Sequence, residues 1–432
     1  MNKTTLPIWV LVLITVSNMI GGFFIVPSAL AKLGAISLFG WIGAFIGALS
    51  LAAVFAILAK NAGENGGMLI QIELKLGRKV AFIATLSYWF TCLIGNTAFL
   101  SELIGGFTPW FPWFNSPSGT LLSTLILLWL LIALVIQGMK LALSIQALVS
   151  IAIFVIMLTV IVIGSGHFHA DYLSHYANND HKPIWLIISH GILICFWCFM
   201  GLETASVLSS IVRRPTFSIP VIVLSSVVIS FLLCALASLI LLASLPHEIL
   251  VNSSAPFVTF FTHFNGSIVG IIVGAIINIT MMVSLIGWLI VQSEPMCVAA
   301  QREIMPKWFL KRSAKAVPIN SLMIGGAIMS IMLIIHGAGG IMVLFEILES
   351  YSVFNTLIPY FLSIISLMVI LYQPRSPYIL ATRLFFSAVC ITALTYIGFI
   401  VSGINVADVG YISGFVATGY GLAKITMKKT SC

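Results

Sequence analysis

Asn18-Met19-Ile20-Gly21-Gly22 lies in the middle of the first long apolar segment, residues 8–31. That segment is apolar and long enough to cross a bilayer, which takes about 20 residues of helix. Two consecutive glycines at mid-depth work against a continuous helix, by roughly 1 kcal/mol each relative to alanine. Inside a membrane, unwound backbone is tolerated only where protein or water receives its freed polar groups. The stretch therefore reads as a helix broken at the midplane, a common way for a transporter to build its site. The rest of the chain reads as the scaffold that holds, faces and gates this break.

Composition sets the class. Of 432 residues, 60% are hydrophobic and 7% are charged, and mean hydropathy is +1.15. An ordinary globular domain is about 25% charged. The expectation is an all-α polytopic membrane protein, with the lipid bilayer as its solvent and residues 1–432 forming a single transmembrane domain. The first segment is longer than a signal-peptide core and lacks a small-residue cleavage site after a short apolar region, so it reads as a retained span. Cys92, Cys195, Cys198, Cys234, Cys297, Cys390 and Cys432 are scattered, nearly all in apolar segments. Cys195 and Cys198 share a helix without a second pair near them in sequence. The set reads as small buried apolar residues, and no metal or cofactor is expected.

Apolar runs predict twelve spans: 8–31, 37–59, 80–107, 119–138, 142–164, 185–211, 219–244, 265–299, 318–337, 341–371, 380–402 and 407–424. With the N-terminus in the cytoplasm, the inner loops and termini hold 18 of the 20 Lys and Arg residues, and the outer side holds only Lys32 and Lys182. That asymmetry is the positive-inside pattern, and it supports the count of spans. The net charge of +8 is thus a topology signal, and no nucleic-acid partner is expected. The protein is expected in the cell (inner) membrane, multi-pass, with both termini cytoplasmic.

An internal repeat follows from a second break. Span six carries Phe199-Met200-Gly201-Leu202-Glu203 at mid-depth, five spans after Gly21-Gly22 and running in the opposite direction. Two interrupted helices so related predict inverted five-helix repeats over 8–164 and 185–371, with 380–424 as two additional helices. Either glycine alone would read as close helix packing. Half-helix N-termini attract a carboxylate and half-helix C-termini attract an ammonium, so the paired breaks suit an amino acid.

Intramembrane acids are functional candidates because burying a carboxylate is expensive. They are Glu102, Glu203, Glu294, Glu346 and Glu349. No Lys or Arg is expected at mid-depth to pair with these five acids, which favours a cationic ligand or protons. Glu203 is the strongest, since it closes the second break. Glu346 and Glu349 share a helix face. Glu294, just before Pro295, and Glu102 read equally well as neutral or solvated groups. Trp197, Trp288 and Tyr88 lie inside spans rather than in interface belts, and the face of such a ring attracts an ammonium. Trp110, Phe111 and Trp113 read as interface anchors. His167, His169, His175 and His181 crowd an outer loop and read as loop polarity before a pH sensor. His190, inside span six, is a weaker proton-relay candidate.

Several stretches together resemble the amino acid–polyamine–organocation transporters, and among them the bacterial basic amino acid/polyamine antiporters. They are Asn18 to Pro27, Tyr88-Trp89…Ile94-Gly95-Asn96, Trp197…Gly201-Leu202-Glu203-Thr204-Ala205-Ser206, Gly287-Trp288 and Pro359-Tyr360. The resemblance implies the LeuT-like arrangement of two inverted repeats plus two helices. It implies that Gly21 and Gly22 receive a carboxylate, and that carbonyls near Met19, Trp197 and Met200, beside Asn18 and Gly201, take an α-ammonium. The substrate's side-chain cation would lie near Thr91, Cys92, Asn96, Trp288 and Ser352. Trp197 would stack on the substrate, Trp288 would act as a middle gate, and Tyr88, Glu203 and Tyr360 would form an inner gate. Two departures stand out. The family's Gly-Ser-Gly is here Gly21-Gly22-Phe23, one residue shorter up to Pro27, and Glu294, Glu346 and Glu349 are additions, grouped with gating and proton coupling.

The expected function is secondary active transport of a small amino acid or amine, cationic by the reasoning above, as an antiporter working by alternating access. Proton-coupled import remains open within the same class, and a homodimer is compatible with either. An enzyme would show His, Asp or Cys clustered near one membrane face, and a sensor would carry a signalling domain. Neither feature is present in the sequence.

Overall fold

A computed structural model describes residues 6–61, 67–107, 110–175, 177–178, 182–209, 212–336, 341–374, 376–402 and 418, without the side chains of 112, 115, 175, 336, 341–350, 354 and 402. The described elements are helices: α1 (Ile8–Ile20), α2 (Val26–Leu33), α3 (Gly40–Asn61), α4 (Met68–Leu76), α5 (Arg78–Gly106), α6 (Pro117–Ile136), α7 (Met139–Ser165) and α8 (Ala170–His175). They continue with α9 (Ile184–Phe196), α10 (Thr204–Val207), α11 (Pro215–Ser244), α12 (His247–Val251), α13 (Pro256–Asn265), α14 (Ser267–Gln301), α15 (Ile319–His336), α16 (Ile341–Tyr372) and α17 (Leu380–Ser402). Each of the first eleven expected spans is helical, and residues 407–424 lie outside the described set except for 418. Nine described helices are long and apolar enough to cross a membrane, ten when the bent pair Ile8–Ile20 and Phe23–Leu33 counts as one.

This is a multi-pass membrane protein. Its outward residues are large and apolar: Leu130, Leu148, Val162, Ile268 and Phe217 are all more than 60% exposed. In water that surface would drive aggregation, whereas in lipid it costs nothing. Inside, α5 is the central post, packed against α14 and α16, while α3 packs on α11 and α1 on α7 and α11.

The helix α4 lies between the second and third spans and is anchored at both ends. The Met68 N–H donates to Ser206 Oγ at 2.9 Å, and a Cβ on Gly67 would lie 2.1 Å from the Ser206 carbonyl. Toward its other end, Glu73 pairs with Arg302, just beyond α14. Arg78 donates to the Glu303 carbonyl at 2.6 Å and to that of Arg302 at 3.1 Å.

One expectation needs correction. Glu294 does have a cationic partner: Arg312, from the loop after α14, donates to its two oxygens at 2.8 and 2.9 Å. The loop folds back and delivers a guanidinium that linear spacing hid. Burial works against the Arg312 charge, yet the Glu294 carboxylate holds its proton affinity above the usual arginine value.

Candidate substrate site

The site begins with the two breaks. α1 stops at Ile20, Gly21-Gly22 form a turn, a 3-10 turn covers Phe23–Ile25, and α2 follows; the two halves are bent by 48°. Gly21 and Gly22 both have negative φ, so backbone conformation does not demand glycine there. At Gly22, close approach does. A Cβ on Gly22 would lie 1.8 Å from Trp197 Nε1. The second break runs through the 3-10 turn Trp197–Phe199 and a turn over 200–203 into α10. Here glycine is required by conformation: Gly201 has φ +97°, a region that side-chain-bearing residues avoid. A Cβ on Gly201 would also lie 3.0 Å from the Trp288 ring.

Between the breaks and α5 is a cavity. Of the residues expected to bind substrate, Asn18, Met19, Gly21, Gly22, Thr91, Cys92, Asn96, Trp197, Met200, Trp288 and Ser352 line it. Gly201 stands just behind the wall. Gly95 and Phe99 also line it and were missed, although both share the face of α5 that carries Thr91, Cys92 and Asn96. No lining residue carries a charge.

Hydrogen bonds fix these walls. Ser352 Oγ donates to the Thr91 carbonyl at 3.0 Å, and Thr356 Oγ1 donates to Thr91 Oγ1 at 3.3 Å. Gly95 lets α16 approach: a Cβ there would lie 2.9 Å from Ser352 Oγ. α14 serves the first break with two donors, Ser284 Oγ to the Ser17 carbonyl at 3.2 Å and Trp288 Nε1 to the Asn18 carbonyl at 3.3 Å. The Asn18 amide is committed to the fold. Its Oδ1 accepts from Gln146 Nε2 at 2.6 Å, and its Nδ2 donates to Thr204 Oγ1 at 3.3 Å, tying one break to the other. Asn96 Nδ2 donates to Gln292 Oε1 at 2.7 Å. Gln146 and Gln292 escaped the sequence reading, yet an amide inside an apolar span is itself a signal, because its polar atoms must be matched.

One turn of α5 before Thr91, three side chains from three elements meet. Tyr88 Oη donates to Glu203 Oε1 at 2.8 Å, and Tyr360 Oη donates to Oε2 at 2.5 Å. All three residues are buried. The structure thus brings together Tyr88, Glu203 and Tyr360, and separates Glu294, which faces Arg312 rather than the cavity. The side chains of Glu346 and Glu349 lie outside the described residues. Glu102 is partly buried near the outer end of α5.

A family model described as amino acid permease matches residues 6–419. The chain belongs to the amino acid permease family. Among similar proteins, the putrescine transporter PotE of Haemophilus influenzae is 26% identical over 362 residues, covering 84% of this chain and 83% of its own length. PotE of Escherichia coli K12 is 25% identical over 361 residues, covering 83% and 82%. The cadaverine/lysine antiporter of Escherichia coli K12 is 25% identical over 365 residues, covering 82% and 81%. The permease is therefore a transporter and not an enzyme. Its cavity lies at the meeting of the two breaks.

Proposed function

We propose that this permease exchanges a cationic amino acid for a related amine across the cell (inner) membrane, by alternating access. The observation that carries the reading is the make-up of the cavity. Two indole rings, Trp197 and Trp288, stand with amide and hydroxyl groups and glycine backbone, and no Lys or Arg lines it. Indole faces and carbonyl oxygens attract ammonium groups. The named relatives handle putrescine, or cadaverine and lysine, all cationic at neutral pH.

In this reading Gly21 and Gly22 face the substrate carboxylate, and Asn96, Cys92, Thr91 and Ser352 surround the distal ammonium. The Tyr88–Glu203–Tyr360 seal closes the inner side, and Trp288 closes over the substrate from the other. The inverted repeats 8–164 and 185–371 rock against each other, with 380–424 outside them. Both termini are cytoplasmic, as the distribution of Lys and Arg supports, and a homodimer in the bilayer is compatible with this arrangement.

Uptake of labelled putrescine, cadaverine, ornithine and lysine into proteoliposomes tests the reading. Exchange requires flux to depend on unlabelled substrate inside the vesicle. Flux into empty vesicles under a pH gradient alone would instead make the protein a proton-coupled importer, and no flux of any cationic substrate would reject the substrate class.

A further inference from the structure

We propose that Gln292 is a positioning residue for cation selectivity: it holds the Asn96 amide so that Oδ1, not Nδ2, is presented to the substrate's distal ammonium. This rests on the cationic-exchange reading above and deepens it.

The two ends of a carboxamide have nearly the same shape and opposite hydrogen-bonding character. Which end faces a cavity is decided by what binds the other. Asn96 lines the cavity, and its Nδ2 is drawn back to Gln292 Oε1 at 2.7 Å. Its remaining polar atom is an acceptor. An ammonium has donors only, so an inward oxygen binds it and an inward NH2 repels it. Gln292 is fully buried and is absent from the cavity wall, so it acts through Asn96 and never touches the substrate.

Gln292 is itself held. A Cβ on Gly325 of α15 would lie 2.1 Å from Gln292 Nε2, so the nitrogen end of the amide is pressed onto that glycine. That nitrogen is buried and has no hydrogen-bond partner among the described residues. An unmatched buried donor is unfavourable, and leucine or methionine would fill the space without it. Presenting Oε1 to Asn96 is the service that offsets this.

A second clamp shows that the arrangement is specific. Gln146 also reaches an asparagine of the cavity wall, and its own free end also lies on a glycine, with a Cβ on Gly287 falling 2.0 Å from Oε1. There the polarity is reversed, because Gln146 donates and Asn18 accepts. The other end of the Asn18 amide goes to Thr204, so that clamp serves the fold. Only at Asn96 does the clamp leave an acceptor for a ligand.

The test measures putrescine exchange in proteoliposomes for Gln292→Met, Gln292→Glu, Asn96→Leu and the double variant Asn96→Leu/Gln292→Met. Gln292→Met keeps the volume and loses the acceptor. It is expected to raise KM about tenfold with a smaller change in kcat, as loss of one charge-assisted hydrogen bond does. Gln292→Glu retains an acceptor facing Asn96 and is expected to recover most of that loss. In the Asn96→Leu background, Gln292→Met is expected to change KM less than twofold. Equal KM increases in both backgrounds, an unchanged KM in Gln292→Met, or a Gln292→Glu variant as impaired as Gln292→Met would each overturn the proposal. Failure of the parent reading shows separately, as a parent protein that exchanges no cationic substrate.

Discussion

Tyr360 Oη lies 2.5 Å from Glu203 Oε2, at the end of the cavity nearest α10. With Tyr88 on the other oxygen, the carboxylate bridges α5, α16 and the second break. In the proposed cycle, opening that end would part these bonds, and protonation of Glu203 is a direct way to weaken them. Glu203→Gln is therefore expected to flatten the pH dependence of exchange between pH ~5 and ~8 and to slow turnover about tenfold or more. Initial rates at symmetric pH measure this. An unchanged pH profile would remove Glu203 from proton coupling.

Gly22→Ala places a methyl group where the Trp197 ring stands, 1.8 Å from Nε1. The indole must swing out of the cavity wall, so binding is expected to suffer most, with KM raised about tenfold. Gly21→Ala meets only contacts of 3.3 to 3.5 Å, from Phe99, Ser17 and Ser284, and is expected to be milder. The same ranking should appear in ligand-induced thermal shifts, and the reverse ranking would argue against Trp197 as a wall of the site.

Glu294 is fully buried and Arg312 mostly so. Removing one partner of such a pair strands a charge, at about 3–5 kcal/mol. Arg312→Met alone is expected to lower Tm in detergent strongly. Glu294→Leu/Arg312→Met is expected to recover most of the loss, since apolar packing can replace a buried pair. Exchange by the recovered double variant at parental KM would show that Glu294 anchors the 302–318 loop and does not gate the substrate.

His247 sits in a pocket with Tyr172, Leu173, Leu242 and Leu250. Burial lowers its proton affinity, partly offset by Glu248. The unfolded chain then binds more protons below pH ~6.5, so this contribution to stability is complete above that pH and is lost as pH falls through the lowered value. His247→Gln should reduce the acid-dependent loss of Tm over that window. An unchanged slope would place the acid sensitivity elsewhere.

Much of this was legible in one chain because a bilayer restricts the options. Apolar length gave the spans, and glycines at mid-depth gave both breaks, since only unwound backbone with a receiver is tolerated at depth. Helical spacing along α5 placed Tyr88, Thr91, Cys92 and Asn96 on one face, and extending that face by one step would have found Phe99. What stayed hidden depends on three-dimensional return of the chain. Arg312 reaches Glu294 only after a loop folds back. Gln146 and Gln292 find their asparagines 128 and 196 residues away in sequence. The reason for Gly22 was also invisible: it is required by an indole on another helix, not by its own φ.

The helix α4 links the second break to the end of α14. Its first N–H bonds Ser206, beside α10 residues Thr204 and Ala205, and its Glu73 pairs with Arg302. In the proposed exchange cycle, movement of the break would reach that charge pair through α4. Arg302 is about one-third exposed, at 33%, so the pair itself contributes modestly to stability, about 1 kcal/mol or less. In the proposed cycle its effect on exchange is expected to be larger than its effect on Tm, because the pair ties the end of α14 to the second break through α4. Arg302→Gln should change Tm little, raise the rate of thiol labelling at Cys92 from the inner side about threefold or more, and lower the apparent affinity for outside substrate. Raising ionic strength should move the parent protein in the same direction and leave Arg302→Gln unaffected. A variant with parental labelling at every salt concentration would show that α4 is a static cap over the break.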